Sequence, residues 1–219
     1  MGTKILLVDD HEITRNGLSA LIEKQPEMEV VGEAENGRDA VGLVEDLAPD
    51  VVIMDISMPD LNGIDASRQI LALSPSTKVI ALSMYSDKRY VEGMLSAGVS
   101  GYLEKSCAFD ELVQAILAVV SGKAYLSPNI ADIVMKDYAQ KRTGADVEDA
   151  SLPEMRLSSR EREVLQLLAE GDSSVQIAAK LYISIKTVST HRRHIMEKLK
   201  LNNLADLIKL ALREGLTSI

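Results

Sequence analysis

Cysteine is almost missing from this 219-residue chain: Cys107 is the single one. A lone thiol excludes an internal disulfide framework and fits a reducing compartment. There is no Cys/His cluster with zinc spacing either. No apolar run approaches the roughly 20 residues that a membrane span needs. The N-terminus enters a strand pattern at once, without the regions of a signal peptide. A soluble, cytoplasmic protein is the expectation. Glycine is absent from the first loop, Asp9-Asp10-His11-Glu12. An acidic loop without glycine repels a phosphate instead of cradling it, which argues against a flavin or dinucleotide binder.

Hydrophobic residues make up 46% and charged residues 26% of the chain, ordinary values for a globular protein. The net charge of −9 is unevenly spread: −10 over residues 1–125, −2 over 126–150 and +3 over 151–219. Opposite signs on two halves imply two domains with different partners, the basic half being the nucleic-acid candidate.

Short apolar runs alternate with helical periodicity through the first half. Lys4–Val8, Glu29–Ala34, Val51–Met54, Lys78–Ser83 and Ser100–Leu103 read as strands. Helices are predicted over about Glu12–Lys24 (stripe Ile13, Leu18, Leu21, Ile22), from Asn36-Gly37 to Pro49, and over Gly63–Leu73, Lys88–Ala97 and Phe109–Ser121 (stripe Leu112, Ile116, Val119, Val120). Five strands alternating with five helices call for an α/β fold, a doubly wound five-stranded parallel sheet. A further helix, with Ser127 as cap and Pro128 at its first position, runs to about Gln140, and Lys141–Arg156 reads as a flexible linker. Helices near Ser159–Glu170, Val175–Leu181, Ile185–Leu199 and Asn203–Glu214 complete a small all-α domain. The expected domains are residues 1–125, a connecting segment 126–156, and 157–219.

The strand Val51–Met54 delivers Asp55 to its carboxyl end, where open α/β sheets hold their ligands. Asp9 and Asp10 leave the first strand in the same way. Three carboxylates in one small site repel one another, and a hard divalent cation, Mg²⁺ above all, resolves that repulsion. Ser83 at the end of the fourth strand adds a hydroxyl, and Lys105 past the fifth adds a cation. Carboxylate nucleophile, metal, hydroxyl and ammonium form a phosphoryl-transfer set. His11 beside the acids reads as a shield of the site edge, and Cys107 as an inert thiol.

In the second half, two short helices joined at Tyr182-Ile183-Ser184 make a helix-turn-helix pattern. Val188, Ile195 and Leu199 form one inward stripe of the third helix, while Ser189, Thr190, Arg193 and Glu197 point outward. Lys186, Arg192, Arg193, Lys198 and Lys200 against Glu197 give a local positive patch, as a DNA-binding helix requires.

Residues 1–125 resemble the receiver domain of bacterial two-component response regulators. The resemblance rests on Asp9-Asp10, Asp55 with Ser57-Met58-Pro59-Asp60 and Gly63, Ser83, and Gly98, Gly101-Tyr102 and Lys105. It implies that Asp55 accepts a phosphoryl group from a sensor histidine kinase. Asp10 and Asp55 would then ligate Mg²⁺ by side chain, Ser57 by its carbonyl, and Asp9 through water. Ser83 and Lys105 would bind the phosphoryl oxygens, and Tyr102 would be the switch coupled to Ser83. Ser106-Cys107 departs from the proline frequent after this lysine.

Leu157–Leu216 resembles the LuxR-type DNA-binding domain of NarL/FixJ-family regulators, through Ser159-Arg160-Glu161-Arg162-Glu163-Val164-Leu165, Glu170-Gly171, Ile177-Ala178, Lys186-Thr187-Val188, Thr190-His191 and Lys198-Leu199. By that resemblance Ser189, Thr190 and Arg193 face bases, and Lys186, Thr187 and Lys198 face phosphates. Leu204, Leu207, Ile208 and Ala211 would form a dimerisation stripe on promoter DNA. Ser189 stands where lysine is frequent.

The resulting expectation is a transcription regulator, not an enzyme, switched by Asp55 phosphorylation into a DNA-binding homodimer. Two alternatives stand beside it. One is a regulator of the same fold that binds DNA without phosphorylation. The other is an aspartyl-phosphate phosphatase, disfavoured because such enzymes place a second acid where this chain has Ser57.

Overall fold

The computed structural model describes residues 2–84, 87–107, 109–143, 157–213 and 215–217. The chain divides into two compact units, Met1–Asp146 and Val147–Ile219. Among the described residues, no helix is long and apolar enough to cross a membrane.

The first unit is built on a parallel sheet: β1 (Thr3–Val8), β2 (Met28–Ala34), β3 (Val51–Met54), β4 (Lys78–Ser83), β5 (Gly101–Glu104) and β6 (Tyr125–Leu126), in the order β2-β1-β3-β4-β5-β6. Among the described residues the expected doubly wound parallel sheet carries its five strands and a sixth, short edge strand. Tyr125-Leu126 adds a short edge by pairing Gly101↔Tyr125 and Tyr102↔Leu126, too brief a run to show periodicity in the sequence. Helices α1 (Glu12–Ile22), α2 (Gly37–Leu47), α3 (Gly63–Leu73), α4 (Lys88–Ala97), α5 (Phe109–Val120) and α6 (Pro128–Thr143) cover the two faces.

Alternation along each strand sends side chains to opposite faces. Leu6, Val8, Val52, Met54, Val79, Ala81 and Tyr102 pack with α2, α3, α4 and α6 through Val44, Ile70, Met94 and Ile130. Ile5, Leu7, Val51, Ile53, Ile80, Leu82 and Leu103 pack with α1 and α5 through Ile22, Leu112, Ile116 and Val119. Strand β3 is central and buried on both sides, so all four of its residues are apolar. Burial of each large side chain contributes about 1.5–3 kcal/mol, which fixes the register that brings three strand ends together.

Some expected core positions differ. Ile13 is 89% exposed and Val120 46% exposed; on α1 the inward place belongs to Arg15, which is buried for a polar reason given below. Ser127 does not cap α6 through its side chain. Its carbonyl accepts from the Ala131 N–H, and its buried hydroxyl has no hydrogen-bond partner among the described residues. Helix α6 runs to Thr143 and packs Ile133 and Val134 against the sheet-side core. It is tied to α4 by Lys88 Nζ, 2.6 Å from Asp137 Oδ1. The expected linker beyond it, at 144–156, lies outside the described residues.

The second unit contains α7 (Ser159–Ala169), α8 (Ser174–Lys180), α9 (Ile185–Leu199) and α10 (Leu204–Arg213). Capping boxes start the first two: Ser158 with Glu161, and Ser173 with Gln176. Ser184 caps α9, its hydroxyl accepting from the Thr187 N–H. Tyr182 takes a left-handed backbone (φ 53°) to make the tight turn between α8 and α9. Leu165, Leu168, Ile177, Val188, Ile195, Leu207 and Ala211 form the core.

Candidate functional site: an acidic pocket and a basic recognition helix

The ends of β1, β3 and β5 converge. Asp55 N–H donates to the Val8 carbonyl at 2.8 Å, and Lys105 N–H to the Ser83 carbonyl at 2.7 Å. Asp9 and Asp55 are therefore neighbours, 3% and 5% exposed, with the Lys105 ammonium between them: Nζ lies 2.7 Å from Asp9 Oδ2 and 2.9 Å from Asp55 Oδ2. Asp55 Oδ1 accepts from the Ile56 N–H at 2.8 Å.

Burial pushes the Asp55 carboxyl above its ordinary range, Lys105 opposes that shift, and the Asp9 charge adds to it. Burial works against the Lys105 ammonium, but its bonds to Asp9 and Asp55 outweigh that and hold it above the usual lysine value. The pocket thus confines an ion pair with one surplus carboxylate, an arrangement that favours an added cation.

Asp10 completes the acidic group at the rim. With Asp9, His11 and Asp55 it offers ligand atoms that lie within 4.8 Å of one another. The His11 N–H donates to Asp9 Oδ1 at 2.9 Å, and its ring Nδ1 is 2.8 Å from Asp10 Oδ1, so His11 flanks the acids as a shield would. Oxygen donors from strand ends suit a hard divalent ion. Ser57 lies half-buried in the loop after β3.

Ser83 and Tyr102 are fully buried behind the pocket and share a hydrogen bond. Burial pushes the phenol well up despite that bond, which keeps it protonated. Burial also pushes the Cys107 thiol up, as an inert thiol requires.

Arg15 escaped the sequence reading. Its Nη1 donates to the Asp9 carbonyl at 2.6 Å, and its guanidinium reaches Glu33 at 3.4 Å and Glu35 at 3.0 Å. It clamps the β1 exit. The available signal was an arginine at a stripe position of α1, obscured by the nearby apolar Ile13.

Gly63 permits the loop after Asp55 to fold back on its own strand end. A Cβ there would lie 1.9 Å from the Asp55 carbonyl oxygen and 3.0 Å from Ile56 Cα. Both atoms are backbone, so the strand end itself has to move. Gly63→Ala should destabilise the first unit by about 2 kcal/mol, within the range for overpacking, and shift Asp55. A denaturant melt showing wild-type stability would contradict this account.

In the second unit, Lys186 and Ser189 are exposed, and Thr187 and Thr190 are half-buried. The Ser189 and Thr190 hydroxyls donate to the carbonyls of Ile185 and Lys186 at 3.1 and 3.0 Å. Arg193 is 67% exposed, with only a loose 3.9 Å contact to Glu197. Lys198, 44% exposed, carries its ammonium 2.7 Å from Glu161 Oε2, whose side chain is 5% exposed.

The dimerisation stripe is corrected. Leu207 and Ala211 are fully buried in their own domain core, so those two do not face a second copy, whereas Leu204 is half-buried against that core. Only Ile208 of that set lies outside this core, half-buried. For Leu207 and Ala211 the apolar periodicity of α10 records folding of the second unit.

A carboxylate–lysine pocket at the strand ends of a doubly wound sheet, joined to a helix-turn-helix domain, defines a two-domain DNA-binding regulator with a receiver-type site. Residues 5–117 match the response regulator receiver domain, and residues 155–211 match the bacterial regulatory proteins of the luxR family. The chain belongs to the NarL/FixJ family of two-component response regulators. It is 36% identical to the transcriptional regulatory protein DegU of Brevibacillus brevis, over 97% of this chain and 94% of that one. With the oxygen regulatory protein NreC of Staphylococcus carnosus it shares 37% identity over 97% and 98%. The two-component response regulator RcsB, solved as a complex with DNA, superposes with a TM-score of 0.59 at 29% identity, covering 96% of this chain and 98% of that one.

Proposed function

We propose that Asp55 is the phosphoacceptor and that its phosphorylation by a sensor histidine kinase raises the affinity of the second unit for promoter DNA as a homodimer. The observation that carries this reading is the Lys105 ammonium held between Asp9 and Asp55. It leaves one carboxylate positioned to attack and one cation positioned to receive the new charge.

In the transfer step an Asp55 oxygen bonds to phosphorus as the bond from phosphorus to the donor's imidazole nitrogen breaks, and the donor histidine keeps that electron pair. Asp10, Asp55 and the Ser57 carbonyl would hold Mg²⁺, with Asp9 acting through water; the ion would neutralise charge on the phosphoryl oxygens. Lys105 would turn from Asp9 toward the phosphoryl group. The Ser83 hydroxyl would donate to another of its oxygens, loosening its bond with Tyr102 and altering the α4–β5 face. Ser189, Thr190 and Arg193 read bases in this scheme, while Lys186 and Thr187 hold phosphates.

Incubation with a small-molecule phosphoryl donor and Mg²⁺ should give an acyl phosphate labile to hydroxylamine, mapped by mass spectrometry to the Asp55 peptide. Affinity for duplex DNA should rise in parallel. Modification without any change in affinity would favour the phosphorylation-independent alternative.

A further inference from the structure

A groove of about 740 Å³ runs beside the recognition helix α9, with Ser174, Ser189, Arg192, Arg193, Lys200 and Asn202 on its walls. Ser189 and Arg193 also belong to the proposed base-reading set, so the groove is continuous with that face. Its remaining walls add the cations Arg192 and Lys200, the hydrogen-bonding side chains of Ser174 and Asn202, and the apolar side chains of Met196 and Leu201. Glu197 is the acid of the lining; it is 65% exposed and only 3.9 Å from Arg193. The cations of the lining outnumber it three to one.

Lys198 and Lys200, two residues apart, are placed for different work. Lys198 is bound to Glu161, whose Oε2 also accepts from the Ser158 N–H at 2.7 Å. That contact ties the last turn of α9 to the first turn of α7. Lys200 leaves the helix with a left-handed backbone (φ 55°) and carries its exposed side chain to the groove wall. Among the described residues neither Lys200 nor Arg192 has an ion-pair partner.

We propose that this groove seats the sugar-phosphate strand beside the bases being read, with Arg192 and Lys200 neutralising phosphates. Lys198 is a positioning residue that braces α9 against α7. The assignment rests on the DNA-binding reading above and names the groups that hold the backbone. A cation that neutralises a phosphate releases condensed counterions and steepens the salt dependence of binding. An ammonium committed to a buried carboxylate contributes no such release.

The test uses the full-length protein and a mixed-sequence duplex, with affinity followed by fluorescence anisotropy over a salt series and melting followed by circular dichroism. Asparagine tolerates the left-handed backbone at position 200, so the variants are Arg192→Gln, Lys200→Asn and Lys198→Gln. The first two should each flatten the log–log salt slope by about 0.9, weaken binding to any sequence, and melt like the wild type. Lys198→Gln should leave the slope unchanged and lower the melting midpoint of the second unit. Unchanged slopes for Arg192→Gln and Lys200→Asn, with a wild type that binds, overturn the groove assignment alone. A slope loss in Lys198→Gln matching that of Lys200→Asn overturns the brace. A wild type with no salt-dependent affinity for a duplex overturns the DNA-binding reading itself.

Discussion

Asp55→Asn should abolish phosphoryl-dependent activation and leave the receiver unit at least as stable as before. The asparagine oxygen can still accept the Ile56 N–H that Asp55 Oδ1 accepts at 2.8 Å, so the loop keeps its anchor. Lys105 keeps Asp9 at 2.7 Å. What is lost is the nucleophilic oxygen that the Lys105 ammonium faces at 2.9 Å. Allosteric coupling is typically about 5–150-fold in affinity, so a wild-type gain on the order of 10-fold on phosphorylation should fall to none. DNA titrations with and without beryllofluoride measure this directly; equal gains in both proteins would remove Asp55 from the switch.

The stability half of the expectation follows from the direction of the Asp55 shift. Burial holds its carboxyl above the ordinary value of 3.8 despite Lys105. An acid whose folded pKa is raised contributes stability below its unfolded pKa and loses it as pH rises through the folded one. At neutral pH the charged Asp55 is therefore a cost that asparagine removes. The melting advantage of Asp55→Asn should be largest at neutral pH and vanish as pH falls to about 3.8. Phosphoryl acceptance needs the ionised carboxylate, so the wild type should lose it on acidification earlier than an unperturbed aspartate would.

Much of this site was legible because strand ends are. A buried run such as Val51–Met54 has to end where the polar backbone meets solvent, and the residue that follows is placed by the sheet. Asp9, Asp55, Ser83 and Lys105 were found that way. Arg15 was not, because helical periodicity scores it as an error in an apolar stripe, whereas a buried guanidinium is acceptable once Glu33, Glu35 and the Asp9 carbonyl satisfy it. Strand β6 was missed because two residues carry no period. The stripe of α10 shows the opposite limit: periodicity reports that Leu207 and Ala211 are buried and Leu204 half-buried, but not against what. Lys198 and Lys200 could not be separated from sequence either. The ion pair to Glu161 and the left-handed turn at Lys200 set the two lysines apart.

Lys105→Ala should be the most destabilising single change in the acidic pocket. It leaves Asp9 and Asp55, 3% and 5% exposed, facing each other without a cation. Removing one partner from a buried pair costs about 3–5 kcal/mol, and the open rim at Asp10 places this case at about 3 kcal/mol. Mg²⁺ should recover part of that loss, since a divalent ion among the carboxylates restores the missing positive charge. The thermal midpoint of Lys105→Ala should therefore rise more on Mg²⁺ addition than that of the wild type, whose ammonium already neutralises the pair. The Lys105 pKa is held above 10.5 by its two carboxylates, so its contribution is fully present below 10.5 and lost as pH rises through the higher folded value. The gap between wild type and variant should persist across neutral pH, close in strong alkali, and narrow in acid as the Asp55 carboxyl takes up its proton. A variant as stable as the wild type, or one that Mg²⁺ does not help, would mean that the two carboxylates do not share a site that requires a cation.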